Sequence, residues 1–379
     1  MTTPTIGIAC HSFRTDGGMG RYVQLLAEGL LNLGIHPTVI TKKIDYSLPL
    51  SKEVSFHHIN CKFIPSKLRD YYYDYKLGKY LQSTPLDIVI SCNRNTHSDI
   101  AICGGTHLGY CQAMGKTLSF FDKKMISLER KFYTNSKLVV AHSKGMQTEL
   151  IKIYGLPLEK CPTIYPPISL ETFQRHSHNK QTINSFPQEQ FTFVIPSAGN
   201  HKMKGLDLLI QYFEKTTLPI KLLIAGRPIS GNYKNVVYIG FRKDMPDVFR
   251  SADFTILASR YEAFGQVAIE SVACGTPVVL ANNVCAAEVI SDDVKFTFDR
   301  NSFESFENAV KQAIKLFPHS KIEDPIKHMT ITTDNNRHYS TCSRHIKHIF
   351  SSQQNIKSYP TRFSIITSKI LVDFSVDEG

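Results

Sequence analysis

The sequence has no apolar run near the length needed to cross a bilayer, so it does not read as a spanning protein. It also lacks a basic leader. Met1 to Cys10 passes almost at once into a strand, which argues against a signal peptide. There is no Cys-x-x-Cys, and nine scattered cysteines fit reduced thiols in a cytoplasmic protein better than a disulfide framework. No zinc spacing, Walker lysine loop or Ser/His/Asp arrangement stands out. No Asp-x-Asp triplet, a common holder of Mn²⁺ or Mg²⁺, occurs anywhere. No nucleic-acid module signature is present either.

What is present is a 379-residue chain with ordinary globular composition, 42% hydrophobic and 20% charged. That length suits about two domains, each able to bury a core. The net charge of +11 favours an anionic partner, a membrane surface or phosphorylated glycolipid, unless it is simply an untuned basic surface.

Strand and helix patterns alternate along the chain. Apolar runs at 6–10, 38–41, 87–91, 100–103 and 138–141 read as strands, and 20–33 reads as a helix with Leu25, Leu26, Leu30 and Leu33 on one face. The second half repeats the alternation, with strands at 191–196, 220–225, 236–239, 254–257 and 277–280 and helices at 205–215 and 303–317. Short apolar strands between helices imply parallel sheets covered on both faces. Pro166 and Pro167 hold residues 162–169 extended as an interdomain linker. The polar stretch 174–190 is expected to wander over the surface. The expected division is 1–168, 169–336, a helix at about 337–350 and a tail at 351–379.

The most informative segment is Ser259-Arg260-Tyr261-Glu262-Ala263-Phe264-Gly265-Gln266-Val267-Ala268-Ile269-Glu270, followed by Gly275-Thr276-Pro277. It follows a strand, carries Glu262 in a loop and opens a helix near Gly265. Amides at such a helix start suit a phosphate, and glycine admits a ligand close to the backbone. Two acceptor-only carboxylates flanking that point can hold hydroxyl groups.

Glu-x7-Glu with Phe-Gly after the first Glu resembles the signature of retaining GT-B glycosyltransferases, family 4. The resemblance covers about residues 4–350. It implies an α/β fold of two doubly wound Rossmann-like domains facing each other across a cleft. It also implies sugar transfer from a nucleotide-sugar, a UDP-sugar in the first instance, with the 337–350 helix crossing back to the first domain. Glu262, His107 and Lys204 are the implied catalytic residues. Gly18, Lys204, Phe241, Phe264, Gly265, Gln266 and Glu270 are the implied donor-binding residues. The Asp16-Gly17-Gly18-Met19-Gly20 loop is similar to the family's first loop. The family usually has a second cation, commonly Arg, where this chain has Met203. Lys202, His201 or another loop would have to replace it. His107 also reads as a structural histidine, and Phe241 as a core residue. With no Asp-x-Asp, no metal or other cofactor is expected.

The Gly-Gly opening, the Pro-Pro linker and the segment Met329 to Tyr339 look closest to bacterial lipopolysaccharide core glucosyltransferases. That narrower likeness implies a glycan or glycolipid acceptor and a peripheral position on the cytoplasmic face of an anionic inner membrane. Basic residues between Lys62 and Lys131, interleaved with Tyr71 to Tyr73, Tyr75, Phe120, Phe121 and Phe132, are the expected membrane face, unless those aromatics are core. Two other readings stand beside this one. A nicotinamide-dependent oxidoreductase would need Gly-x-Gly-x-x-Gly, and the glycine spacing is wrong although Asp45 is near the second strand. A non-catalytic sugar-nucleotide-binding protein is supported only by Met203.

Overall fold

The computed structural model describes residues 4–15, 17–175, 190–197, 199–330, 346 and 349–351. The chain divides into two compact units, residues 1–167 with 334–379 and residues 168–333. The first is built on six parallel strands: β1 (Ile6–Cys10), β2 (Thr38–Thr41), β3 (Ser55–His58), β4 (Ile88–Ser91), β5 (Ile100–Cys103) and β6 (Leu138–Ala141). Its helices are α1 (Gly18–Leu31), α2 (Arg69–Ser83), α3 (His107–Ala113), α4 (Phe120–Asn135) and α5 (Lys144–Tyr154). The second has β7 (Phe191–Ser197), β8 (Ile220–Gly226), β9 (Val236–Tyr238), β10 (Phe254–Leu257), β11 (Val278–Ala281) and β12 (Lys295–Phe298). Its helices are α6 (Leu206–Lys215), α7 (Met245–Ser251), α8 (Gln266–Ala273) and α9 (Phe303–Leu316).

Every residue of β1, β4, β5 and β6 is buried, as a parallel sheet with both faces covered requires. On one face Ile6 and Ile8 meet Val23, Leu26 and Leu30 of α1. On the other, Ala9, Ile40 and Val89 meet Tyr73 and Leu77 of α2. The Tyr73 hydroxyl donates to the Ile40 carbonyl at 2.7 Å, so the buried phenol is satisfied. Ile346, Ile349 and Phe350 are helical and share the α1-side core. The earlier part of the expected 337–350 helix, most of the 174–190 stretch and all of the tail beyond Ser351 lie outside the described residues.

Strand order in the first sheet is β3-β2-β1-β4-β5-β6, and in the second β12-β11-β10-β7-β8-β9. Counted within each unit, both are the doubly wound order 3-2-1-4-5-6. In such sheets winding reverses between the first and fourth strands, and the C-terminal ends of those two strands frame the ligand site. Here they are β1 and β4 in one unit, and β7 and β10 in the other. Phenylalanine fills the second core: Phe193 stacks on Phe254 at 4.8 Å and meets Phe213 edge-on at 5.6 Å.

The sequence-based strands match to within a residue at most ends. Helix α1 starts two residues before the expected Gly20, because Gly17 at φ +85° turns the chain into it. Seven buried cysteines among the described residues are thiols in no disulfide. No helix among the described residues is long and apolar enough to cross a membrane.

Candidate active site

The loops that leave β7 and β10 carry Lys204 and Glu262. The two strands are hydrogen-bonded neighbours, with Phe254 opposite Phe193, so loops distant in sequence emerge side by side. Lys204 Nζ lies 2.6 Å from Glu262 Oε2, and both side chains are partly exposed, 22% and 16%. The Ser259 hydroxyl donates to the same oxygen at 3.0 Å. A cation and a carboxylate thus meet at the winding reversal of the second sheet, within reach of solvent.

Two glycines set this geometry. Gly205 has φ +70°, and a Cβ there would lie 1.9 Å from the Ala258 carbonyl oxygen. The β7 loop therefore packs directly on the backbone after β10, at a distance only glycine permits. Gly265 has φ +100° and precedes α8, and its Cβ would meet Val284 at 2.8 Å. The Phe264 ring is buried, so what this residue offers a ligand is backbone. Gln266 is the first residue of α8 and is half-buried. Glu270 is the fifth residue of α8 and is 2% exposed. The expected helix start and the position of Glu270 within the helix are therefore present.

The β10 loop is latched to the β7 loop. The Arg260 amide donates to the Met203 carbonyl at 2.7 Å. The Arg260 guanidinium donates to the Lys202 carbonyl and forks onto Asp207 at 2.8 and 3.1 Å. Asn283 Nδ2 donates to the Ser259 carbonyl at 2.7 Å. Arg260 thus sits beside Met203 with its charge committed to Asp207. His201 is held between the Ser197 hydroxyl, 2.8 Å from Nδ1, and the Pro228 carbonyl, 3.2 Å from Nε2. A carbonyl only accepts, so Nε2 carries a proton and the ring braces the loop. Lys202 and Arg227, both exposed, are cations at the same strand ends.

Phe241, read from sequence as either core or pocket, is 68% exposed beyond β9, which removes the core alternative. Ser259, Arg260 and Asn283 were not singled out from the sequence. Ser259 sits three residues before Glu262, a spacing that permits a local turn hydrogen bond. Nothing local marks Asn283.

In the first unit Gly18 opens α1 and is exposed. Met19 packs against Gly104, whose Cβ would lie 2.2 Å from the methionine methyl. His107 opens α3, with its amide donating to Glu129 at 2.8 Å and its Nε2 2.8 Å from Asp122 Oδ1. The expected basic and aromatic surface separates residue by residue. Tyr73 and Phe132 are core, whereas Phe63, Tyr75, Phe120 and Phe121 are 66%, 55%, 67% and 41% exposed. Lysines sit over these exposed rings: Lys67 over Phe121 at 4.4 Å, Lys79 over Tyr75 at 4.9 Å and Lys124 over Phe120 at 5.5 Å.

Comparison with known proteins agrees with this architecture. Residues 16–172 match the family model described as Glycosyltransferase Family 4, and residues 178–322 the one described as Glycosyl transferases group 1. The chain is 36% identical over 314 residues to a probable transglycosylase of Burkholderia thailandensis, covering 82% of this chain and 86% of that protein. Among solved structures it resembles WaaG, a glycosyltransferase involved in lipopolysaccharide biosynthesis. The TM-score is 0.72 at 16% identity, over 97% of this chain and 99% of that one. Anabaena HepE, solved with UDP and glucose, gives a TM-score of 0.64 at 16% identity over 98% and 100% of the two chains.

Proposed function

The chain belongs to the glycosyltransferases of family 4 and group 1 and has their GT-B fold, and on that premise we propose that it moves a hexose from a nucleoside diphosphate to a hydroxyl of a glycan or glycolipid. The observation that supports the site is the Lys204–Glu262 pair at the winding reversal of the second sheet. Lys204 turns from Glu262 to the donor diphosphate and, with the amides around Phe264, Gly265 and Gln266, stabilises the charge that develops on the leaving group. Glu262 then holds hydroxyls of the donor sugar. Glu270 accepts from the ribose hydroxyls. Phe241 offers an exposed aromatic face to the base.

The reaction breaks the bond from the anomeric carbon to the diphosphate oxygen and forms one to the acceptor oxygen. In the retaining course, the acceptor proton passes to the departing phosphate oxygen on the same face. With a lysine and helix-start amides at the diphosphate, the reaction proceeds without added Mg²⁺ or Mn²⁺. An unchanged rate when both are omitted is the expected result, and a rate that depends on either contradicts it.

The acceptor we favour is an anionic glycolipid at a membrane surface, which suits the net charge of +11 and the exposed lysine-covered aromatics of the first unit. WaaG, which shares the fold, acts in lipopolysaccharide biosynthesis. A thermal-shift screen over UDP-, GDP- and ADP-sugars tests the donor assignment. A ligand at a hundred times its Kd stabilises by about 2.7 kcal/mol, so one nucleotide class is expected to raise Tm selectively. No shift with any of the three contradicts the proposal.

A further inference from the structure

Sugar transfer needs an acceptor hydroxyl, and the first sheet has a winding reversal of its own, between β1 and β4. Ala9, Ile40 and Val89 of its strands face α2, and side chains alternate along a strand. Two residues further on, His11 and Lys42 are therefore on the α2 side. So is Asn93, four beyond Val89, since Cys92 before it is still in the α1-side core. Asp70, the second residue of α2, meets them there. Lys42 Nζ lies 2.5 Å from Asp70 Oδ1, and His11 Nδ1 lies 3.8 Å from it. Arg94, next in the chain after Asn93, is close enough for its charge to act on both Asp70 and His11. His11, Asp70 and Arg94 are 45%, 16% and 24% exposed, so this edge is open to a ligand.

Asn93 is only 4% exposed, yet neither its amide oxygen nor its amide nitrogen has a partner among the described residues. Buried polar groups in a folded chain are nearly always paired, and an unmade bond is costly. Slack in the loop does not account for it. Asn95, fully buried, donates from Nδ2 to the Asn93 carbonyl at 2.9 Å and accepts from the His97 amide at 3.0 Å. The Thr96 amide donates to Asp74 of α2 at 2.6 Å. Arg94 is pinned as well, its Nε donating to the buried Glu129 at 2.7 Å, while its two terminal nitrogens make no hydrogen bond to the described residues. A fixed loop thus presents an unpaired amide and a guanidinium end. We propose, building on the glycosyltransferase reading, that Asn93, Arg94 and Asp70 hold hydroxyls of the acceptor sugar, and that the sugar seated there is uncharged.

The charge balance favours a neutral sugar. Lys42 and Arg94 are each already matched by a carboxylate, Asp70 and Glu129. A phosphate or carboxylate placed here would lose water without a spare cation to replace it. A hydroxyl group both donates and accepts, and so does the Asn93 amide. Asn93 Oδ1 takes a hydroxyl proton, and Asn93 Nδ2 and the Arg94 terminal nitrogens donate to hydroxyl oxygens. Asp70 Oδ2, the oxygen turned from Lys42, is a further acceptor. The anionic part of a glycolipid would then meet the outer lysines of α2 and α4, and the reacting sugar this edge.

The test is ligand-observed NMR on the full chain with methyl α-glucoside, methyl α-galactoside, glucose 6-phosphate and inorganic phosphate as probes. Saturation transfer to a methyl hexoside is expected. Asn93→Leu should weaken that binding by about tenfold or more. It should also melt no lower than the wild type, since it removes an unpaired buried amide, whereas a merely structural asparagine would give a lower Tm. Asn93→Asp, of the same size, provides a second variant and should weaken hexoside binding through loss of the Nδ2 donor. Unchanged hexoside affinity in the folded variants overturns the site. Tighter binding of phosphate or glucose 6-phosphate than of either hexoside, lost in Asn93→Leu, overturns the neutral-sugar assignment. UDP, GDP and ADP are titrated alongside. A chain that binds one of them but neither hexoside contradicts this acceptor seat alone, whereas a chain that binds no nucleotide contradicts the transferase reading itself.

Discussion

At the scale of single residues, the account rests on side chains whose environments differ sharply. Glu270 is buried in α8, whereas Glu262 is partly exposed and paired. Glu270→Ala is expected to weaken free nucleotide binding by roughly 10- to 100-fold, the worth of a charged hydrogen bond of about 1.5–3 kcal/mol. Glu262→Ala should leave free nucleotide binding nearly intact and depress turnover with the sugar donor. Calorimetry with nucleotide and with nucleotide-sugar separates the two, and equal losses in both variants contradict the assignment. His142 provides a pH test of a different kind. It is buried against Tyr22 at 4.6 Å, and burial lowers its pKa to about 3. Above about pH 6.5 it is neutral in both folded and unfolded chains and costs nothing. Below that, the unfolded chain takes a proton that the folded one refuses. Stability therefore falls with decreasing pH, by up to about 1.4 kcal/mol per unit, until about pH 3. His142→Asn should flatten the Tm profile between pH 6 and 4, and an unchanged slope would show that His142 titrates freely. Glu262, Gly265 and Glu270 were legible in sequence because their relation is local, one loop and one helix turn. The setting of Met203 was not, because the Arg260 beside it comes from another strand and is turned to Asp207.

At the scale of elements, strands were easier to read than helices. The buried strands are short runs of Ile, Val and Leu, which only a covered parallel sheet explains. Helix α2, Arg69–Ser83, buries only Tyr73, Leu77 and Gly78 among charged and aromatic neighbours, so its apolar stripe is thin. Strand β3 buries none of its four residues, and β12 alternates lysine and threonine with phenylalanine, so neither stood out. The junction of loops at Gly205 was invisible in sequence, since its cause is the Ala258 carbonyl. Gly205→Ala puts a methyl into that carbonyl at a positive φ and should cost about 1–3 kcal/mol. It should also reduce donor affinity, because the β7 loop must move and take Lys204 with it. Urea unfolding and nucleotide titration on the same variant check both effects. Stability lost with donor affinity unchanged would separate the loop from the site.

At the scale of the whole molecule, two sheets of one winding order imply two ligand-framing strand ends, and the proposal places the donor on the second. Charge is the other global property. An excess of +11, with lysines stacked on exposed rings of α2 and α4, should give salt-sensitive association with anionic vesicles. Each basic residue near such a surface contributes about 1 kcal/mol, and salt screens it. Co-sedimentation should be strong on anionic vesicles at low salt and lost at high salt. Equal recovery on neutral vesicles would point to the aromatics alone. Lysine-to-glutamate changes at Lys67 and Lys124 should weaken it without changing nucleotide affinity. Composition made the charge legible, but only the fold separates Phe120 and Phe121 at the surface from Phe132 in the core.

The central claim is that the Lys204–Glu262 pair marks the donor diphosphate site, and calorimetric titration of UDP-glucose into wild type and Lys204→Ala tests it most directly. The account predicts single-site binding to the wild type and at least a tenfold loss in a folded Lys204→Ala variant, in line with a charged contact of about 1.5–3 kcal/mol. Equal affinity for both proteins would place the diphosphate elsewhere and contradict it.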